Sequence, residues 1–133
     1  MLQIIFVSGC TREPEIKSPE NITVGFLADA KKLLPLFASD SASAEISGYI
    51  FNGLTKYDKN IKIIGDLAES WDISPDGLTI TFYLRKNVKW HDGVEFTADD
   101  VLFTYQTVTN PNIPTPYSSI YGPVERVEKI DKY

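Results

Sequence analysis

Residues 74–85, SPDGLTITFYLR, contain the clearest local structure in the sequence. Proline at the second position of SPDG presets the backbone for a β-turn, and Gly77 accepts the positive φ that the exit from the turn requires. Apolar and polar side chains then alternate, which places Ile80, Phe82 and Leu84 on one face of an extended strand. The segment therefore predicts a turn followed by an antiparallel strand with one buried face.

A helix is predicted further along the chain. Thr97 offers a side-chain oxygen as N-cap, and Asp99 and Asp100 place two carboxylates in the first turn, where the helix dipole favours negative charge. Asn110-Pro111 ends the helix, because proline disfavours helical geometry in the residue before it. The buried face of this helix is predicted to consist of Val101, Leu102, Tyr105 and Val108.

The residues before the turn predict another helix and a hairpin. Ser39-Asp40-Ser41 supplies side-chain acceptors for a helix N-terminus, and Gly53 lies where such a helix commonly turns into left-handed geometry. Residues 55–57 and 61–64, on either side of Asp58-Lys59-Asn60, predict a β-hairpin. The buried face of the helical region is predicted to carry Ile46, Tyr49, Ile50 and Leu54.

Two weaker patterns lie near the ends of the sequence. Residues 22–26, ITVGF, alternate apolar residues with others and predict a half-buried strand. Val124, Val127 and Ile130 predict either a further strand or a short helix.

The charge balance and the cysteine content argue against several classes of protein. The formal net charge is -5, and no cluster of lysine and arginine is present that could neutralise a run of phosphates, so nucleic-acid binding is not expected. The sequence has 1 cysteine and 1 histidine, which predicts neither an internal disulfide nor a structural metal site. No cofactor is expected.

The single cysteine, Cys10, lies in a context that resembles a bacterial lipobox. It follows the apolar run LQIIFV and the small pair Ser8-Gly9, and a polar stretch follows it. In a lipobox the thiol receives a diacylglycerol group before the signal peptide is cleaved. We therefore predict a lipoprotein signal peptide and lipobox in residues 1–10, lipidation at Cys10, and a tether in residues 11–21 that holds the protein to a membrane. The alternative is that the apolar run is a buried strand, because no basic residue precedes Cys10.

Three motifs occur in order along the chain: GDLAESW at residues 65–71, SPDG at residues 74–77, and YLRKNVKWHDG at residues 83–93. In sequence and spacing they resemble the signature of the bacterial extracellular solute-binding proteins of family 5, which take up peptides, oligopeptides and nickel. The flanking residues 38–45 and 96–101 are similar to neighbouring elements of that family. The signature belongs to the scaffold and does not identify a ligand.

The resemblance implies an α/β fold of the periplasmic-binding-protein-like type II class. Members of the family resemble a clamshell of two lobes, each a mixed sheet with flanking helices, that closes on the ligand. They are several times longer than 133 residues. Residues 22–133 would therefore form an incomplete N-terminal lobe.

The function implied is that of the substrate-binding component of an ABC importer. Such a protein captures peptides or a related small solute outside the cytoplasmic membrane and delivers it to the permease subunits. With a lipid anchor it would lie on the periplasmic or extracellular face of that membrane. Haem or a nickel chelate is an alternative ligand for the same fold, and a signalling or adhesin receptor is an alternative function.

Two ligand-contact regions are implied by the resemblance. The loop after the first strand of the family passes beside the cleft and corresponds to Ser39, Asp40 and Ser41, whose backbone could pair with an extended peptide. Tyr117, within Pro116-Tyr117-Ser118, matches a cleft tyrosine of oligopeptide binders. The alternatives are that Ser39 to Ser41 only cap a helix and that Tyr117 only covers the core.

A hydrolase is the main alternative from another class of function. Asp99 and Asp100 are adjacent, so they diverge by about 100° around a helix and cannot form a facing pair. His91 lies in a predicted turn with no nucleophilic serine or cysteine motif to accompany it. The sequence therefore predicts a binding protein and no enzyme.

Overall fold

A computed structural model describes residues 23–133 of the chain. The described residues form two α-helices, four β-strands and two short 3-10 helices. In chain order these are a 3-10 helix at Pro35–Phe37, α1 at Ser41–Ile50, β1 at Thr55–Tyr57, β2 at Ile63–Gly65, β3 at Ala68–Ile73, β4 at Ile80–Leu84, α2 at Ala98–Thr109 and a second 3-10 helix at Ser118–Tyr121.

The strands pair as two antiparallel hairpins, β1 with β2 and β3 with β4. The hairpin of β1 and β2 was predicted from the sequence and is confirmed, as are β4 and the turn before it, whereas β3 was not predicted as a strand. At the turn between β3 and β4, the amide of Gly77 donates to the carbonyl of Ser74 at 2.8 Å, and the φ of Gly77 is 73°. Glycine adopts this geometry without the steric cost that a side chain would add.

The core lies at the base of the second hairpin. Ala68 of β3, Leu84 of β4 and Phe96 form its buried cluster. Leu84 is only 5% exposed, whereas Ile80 on the same face of β4 is exposed. The apolar face predicted for β4 is therefore covered at the end that meets the core and open towards the turn.

Helix α1 begins where predicted, and of its predicted buried face Ile46, Ile50 and Leu54 are half-buried while Tyr49 is exposed. Asp40 is its N-cap and accepts a hydrogen bond from the amide of Ser43 at 2.9 Å. Tyr49, predicted to be buried, is 71% exposed, and the buried residues are Ala42, Ser43 and Ser47. The hydroxyls of Ser43 and Ser47 form hydrogen bonds with the backbone of residues 31–33 in the preceding loop.

The predicted left-handed end of α1 at Gly53 is wrong. The helix ends at Ile50, and the positive-φ glycines in the described residues are Gly77 and Gly93. A Cβ atom added at Gly53 would lie 2.9 Å from the carbonyl oxygen of Thr55. Glycine is needed at position 53 because the backbone approaches itself closely there.

Helix α2 has the N-terminus, the end and the buried face that the sequence predicts. The side chain of Thr97 accepts from the amide of Asp99 at 3.3 Å, and the amide of Thr97 donates to Asp100 Oδ2 at 2.8 Å, which completes a capping box. Val108 is 0% exposed, and the other three predicted residues are half-buried.

Two predicted elements are not formed within residues 23–133. Residues 23–26 are not part of a strand, because no other described segment pairs with them. Residues 124–130 form neither strand nor helix, and polar contacts hold this part of the chain. Lys129 pairs with Asp99 at 2.6 Å, and the amide of Ala98 donates to the carbonyl of Lys132 at 3.0 Å.

The signal peptide, Cys10 and the tether predicted for residues 1–21 lie outside the described residues. In the part of the chain that the structure describes, no helix is both long enough and apolar enough to span a membrane.

Candidate ligand-binding site

The two regions predicted to contact a ligand lie next to each other in the structure. The hydroxyl of Tyr117 donates a hydrogen bond to the backbone carbonyl of Ala38, the residue that precedes Ser39. Tyr117 is half-buried and Ala38 is buried. A position in the loop after α2 is thereby joined to the start of α1.

A second hydrogen bond runs beside the first. The hydroxyl of Thr115 donates to the carbonyl of Leu36 at 2.6 Å, and the amide of Tyr117 donates to the Thr115 hydroxyl at 3.3 Å. Thr115 and Tyr117 are two residues apart, as are the carbonyls they contact at Leu36 and Ala38. The loop after α2 therefore fixes two alternate carbonyls of the segment that leads into α1.

Helix α1 fixes the same region from its other side. The hydroxyl of Ser43, a residue that is 0% exposed, accepts from the amides of Lys31 at 2.9 Å and Lys32 at 3.1 Å. It donates in turn to Asp40 Oδ2 at 2.7 Å. One buried hydroxyl thus links the helix cap to the preceding loop and uses its donor and both its acceptor sites. One helical turn further on, Ser47 donates to the carbonyl of Leu33 at 2.9 Å.

Asp40 is stabilised as a carboxylate by this arrangement. Hydrogen bonds from the amide of Ser43 and then from its hydroxyl hold the pKa of Asp40 below its ordinary value. The charge lies at the N-terminus of α1, where the helix dipole also favours it. Capping is therefore an established role for Asp40 in this structure, whichever ligand the protein binds.

Ser39 is the exposed residue between these anchored neighbours. Its amide and its carbonyl form no hydrogen bond to another group within residues 23–133. Ser41 is also exposed, whereas Asp40 between them is half-buried. The backbone amide and carbonyl of Ser39 thus remain available for hydrogen bonds with a partner.

Two grooves of the described residues lie away from the candidate residues. One, of about 130 Å³, is lined by Leu54, Phe82, Val101 and Tyr133 among others. Another, of about 90 Å³, lies between the end of α1 and the turn that carries Trp90 and His91. Neither groove includes residues 39–41 or Tyr117.

The residues considered for hydrolysis are not brought together. Asp99 pairs with Lys129, and Asp100 completes the cap of α2. Within the described residues, no three side chains among histidine, cysteine, aspartate and glutamate converge as a metal site would require.

Sequence reasoning did not single out Ser43 and Thr115. The available signal for Ser43 was its spacing, three residues after the Asp40 cap and four before Ser47, which places two small hydroxyls on one face of α1. Thr115 carried no comparable signal, because its partner Leu36 is 79 positions away.

Comparison with known proteins identifies the class of fold and then the family. Residues 62–133 match the family described as bacterial extracellular solute-binding proteins, family 5 Middle. The oligopeptide-binding protein AppA of Bacillus subtilis is 31% identical over 100% of this chain and 26% of its own length.

Two solved structures are similar to the described fold. NikZ from Campylobacter jejuni in complex with Ni(L-His) aligns with a TM-score of 0.71 and 37% identity, over 79% of this chain and 21% of that one. OppA from Haemophilus influenzae in complex with the peptide RPPGFSPFR aligns with a TM-score of 0.74 and 28% identity, over 80% and 24%. The predicted α/β fold of the type II periplasmic-binding-protein class is confirmed.

The chain belongs to the bacterial extracellular solute-binding proteins of family 5, as its motifs predicted. It spans about a quarter of the length of the relatives it matches. These relatives are named as binding proteins and not as enzymes.

Proposed function

We propose that the chain contributes one wall of the ligand site in the substrate-binding component of an ABC importer. This component captures a peptide outside the cytoplasmic membrane and delivers it to the permease subunits. The family and its peptide-binding relatives support this assignment. The observation that carries it is the exposed backbone of Ser39, held between the anchored residues Ala38 and Asp40.

Backbone at Ser39 suits the recognition of a peptide main chain. An extended peptide offers alternating amides and carbonyls, and a protein backbone can pair with them in the manner of an added strand. Such pairing gives affinity with little regard to the side chains of the ligand. Ser39 and Ser41 are small and exposed, so their side chains would leave room for a ligand to approach.

Tyr117 contributes its ring in this proposal. Its hydroxyl already donates to Ala38, so the proton of that hydroxyl is not available to a ligand. The ring is half-buried, and its accessible part can pack against an amide or a side chain of the ligand.

A nickel chelate is the second candidate ligand, because one structure similar to this chain is a complex with Ni(L-His). The described residues supply no group of metal ligands of their own, so the ligands to the metal would have to come from the chelator or from residues other than 23–133.

The cellular location follows from the family, whose members are extracellular solute-binding proteins. A diacylglycerol on Cys10 would hold the protein at the outer face of the cytoplasmic membrane, with residues 11–21 as the tether and residues 22–133 as part of the first lobe. A lipid anchor keeps a binding protein close to its permease and so raises the rate of encounter.

Isothermal titration calorimetry on the protein as the cell makes it tests the ligand class. The probes are a set of peptides from two to nine residues that includes RPPGFSPFR, and separately Ni(L-His) and haem. We expect saturable binding of peptides that are recovered intact by mass spectrometry. Binding of Ni(L-His) or haem alone would replace the peptide assignment, and cleavage of the peptides or binding of no probe would contradict the proposed function.

A further inference from the structure

Side-chain hydroxyls bind the segment at residues 36–41, called here the wall segment, near both of its ends. Thr115 donates to its first residue, Leu36, at 2.6 Å. Ser43 donates to Asp40 near its other end at 2.7 Å, and the same hydroxyl binds the loop before the segment. Neither hydroxyl belongs to a residue that the ligand proposal uses.

These two hydroxyls act from opposite sides of the wall segment. Thr115 reaches it from the loop after α2, and Ser43 reaches it from within α1. Removal of the Thr115 hydroxyl leaves the carbonyl of Leu36 and the amide of Tyr117 without this partner, and removal of the Ser43 hydroxyl does the same to the amides of Lys31 and Lys32. The segment would then gain alternative conformations, because an unpaired buried polar group favours rearrangement towards water.

We propose that Thr115 and Ser43 are positioning residues, which hold the wall segment in the conformation that presents the Ser39 backbone to the ligand. The inference rests on the proposed function. It names residues that affect the affinity of the protein for its ligand without contacting the ligand. The physical basis is preorganisation. A binding surface that is already ordered does not lose conformational entropy when the ligand arrives, so affinity depends on residues behind the surface.

The sharpest test compares the same substitution, threonine to valine, at two positions. Thr115→Val removes the hydroxyl that binds Leu36, and Thr107→Val removes a hydroxyl that donates to the carbonyl of Phe103 at 2.7 Å within α2. Both changes delete one hydroxyl that donates to a backbone carbonyl, and Thr115→Val also removes the acceptor of the Tyr117 amide at 3.3 Å. We expect Thr115→Val to weaken binding of the tightest peptide by about three- to tenfold, and Thr107→Val to leave it unchanged. Thr115→Ser, which keeps the hydroxyl, should restore most of the affinity.

Hydrogen exchange supplies a readout that is independent of any ligand. In the Ser43→Ala protein the amides of Lys31 and Lys32 lose their acceptor, so peptides covering residues 28–38 should exchange faster than in the wild type. The same variant should bind the peptide probe more weakly by a factor similar to that of Thr115→Val. The melting midpoint is measured for every variant and compared with that of Thr107→Val.

The outcomes separate this inference from the proposed function. Weaker binding in both variants at a temperature well below their melting midpoints, with affinity restored in Thr115→Ser, supports the inference. Unchanged exchange in Ser43→Ala, or unchanged affinity in Thr115→Val while the wild type binds, overturns it and leaves the proposed function standing. A wild type that binds none of the peptides overturns the proposed function, and with it the positioning role.

Discussion

The hydroxyl of Tyr117 donates a hydrogen bond to the backbone carbonyl of Ala38, although the two residues lie 79 positions apart in the sequence. The contact joins the two regions in which ligand residues were predicted. It also changes the role that the tyrosine can have, because a hydroxyl has one proton to donate. The aromatic ring and the hydroxyl therefore have separate effects that substitution can distinguish.

Tyr117→Phe removes only the hydroxyl, and Tyr117→Ala removes the ring as well. We expect Tyr117→Phe to lower the free energy of unfolding by about 0.5–1.5 kcal/mol, the net value of one hydrogen bond, and to reduce affinity no more than Thr115→Val does. Tyr117→Ala should weaken ligand binding by about 1–3 kcal/mol because the ring contact is lost too. Dissociation constants and melting midpoints are measured for both variants. Equal affinities for Tyr117→Ala and the wild type, beside a large fall in melting midpoint, would assign Tyr117 to the core.

Asp40 should make stability depend on pH in the acid range. Its pKa is lowered in the folded protein by hydrogen bonds from Ser43. A group with a depressed folded-state pKa stabilises the protein above its unfolded pKa, and that contribution is lost as the pH falls through the folded pKa. We expect unfolding free energy to fall more steeply below about pH 4 in the wild type than in Asp40→Asn, which still caps the helix but cannot titrate there.

Urea unfolding at several pH values between about 2.5 and 7 measures this dependence, a range that covers the ordinary titration of aspartate. Parallel curves for the wild type and Asp40→Asn would show that Asp40 contributes no pH dependence. Asp40→Ala, which removes the cap as well, should be less stable than Asp40→Asn at neutral pH.

The sequence predicted the elements whose causes are local. The N-cap at Thr97 and the turn at Gly77 depend on residues within a few positions of each other, and both are present. The prediction of a strand, over the described residues 23–26, and that of a buried Tyr49 were wrong because both depend on what packs against the segment. A strand needs a partner, and α1 turns its small residues inward to meet residues 31–33.

The candidate site also combines features with local causes, which the sequence predicts, and contacts between distant residues, which it does not predict. The cap at Asp40 could be predicted from its own neighbourhood, whereas the contacts of Tyr117 with Ala38 and of Thr115 with Leu36 span 79 positions. No periodic pattern encodes such a distance. The proximity of the two candidate regions was implied by the family resemblance, and the hydrogen bonds that join them required the structure.

Leu84 and Leu78 offer a matched test of where the core lies. Leu84 is 5% exposed within the cluster of Ala68 and Phe96, and Leu78 is 85% exposed beside the turn that precedes β4. We expect Leu84→Ala to lower the free energy of unfolding by about 2–5 kcal/mol, and Leu78→Ala to change it by about 0.5 kcal/mol or less. Chemical unfolding measures both. Equal losses would mean that Leu78 is covered in the complete protein.

Cys10 should carry the lipid anchor. We expect the protein to fractionate with membranes and to incorporate radiolabelled fatty acid, because the thiol is the group that receives the diacylglycerol. Cys10→Ala should abolish the label and either release the protein or leave the precursor uncleaved. Equal incorporation of label into the wild type and Cys10→Ala would remove the lipobox assignment and favour a buried strand in the residues before Cys10.

Ile61 has a backbone conformation that its side chain disfavours. Its φ is 61°, in the left-handed region, and the residue is 80% exposed. The turn imposes this geometry, since Asp58 accepts hydrogen bonds from the amides of Ile61 at 3.0 Å and Lys62 at 2.9 Å. A left-handed conformation costs an L-residue about 1–2 kcal/mol, and β-branched residues tolerate it least.

Ile61→Asn should therefore raise the free energy of unfolding by about 1 kcal/mol, because asparagine accepts left-handed geometry more readily. The control is the same substitution two residues later. Ile63 lies in β2 opposite Tyr57, where a β-branched residue is favoured, so Ile63→Asn should lower stability. Urea unfolding of both variants measures the difference. A loss of stability in Ile61→Asn as large as that in Ile63→Asn would show that the Ile61 side chain packs against a partner that outweighs its backbone strain.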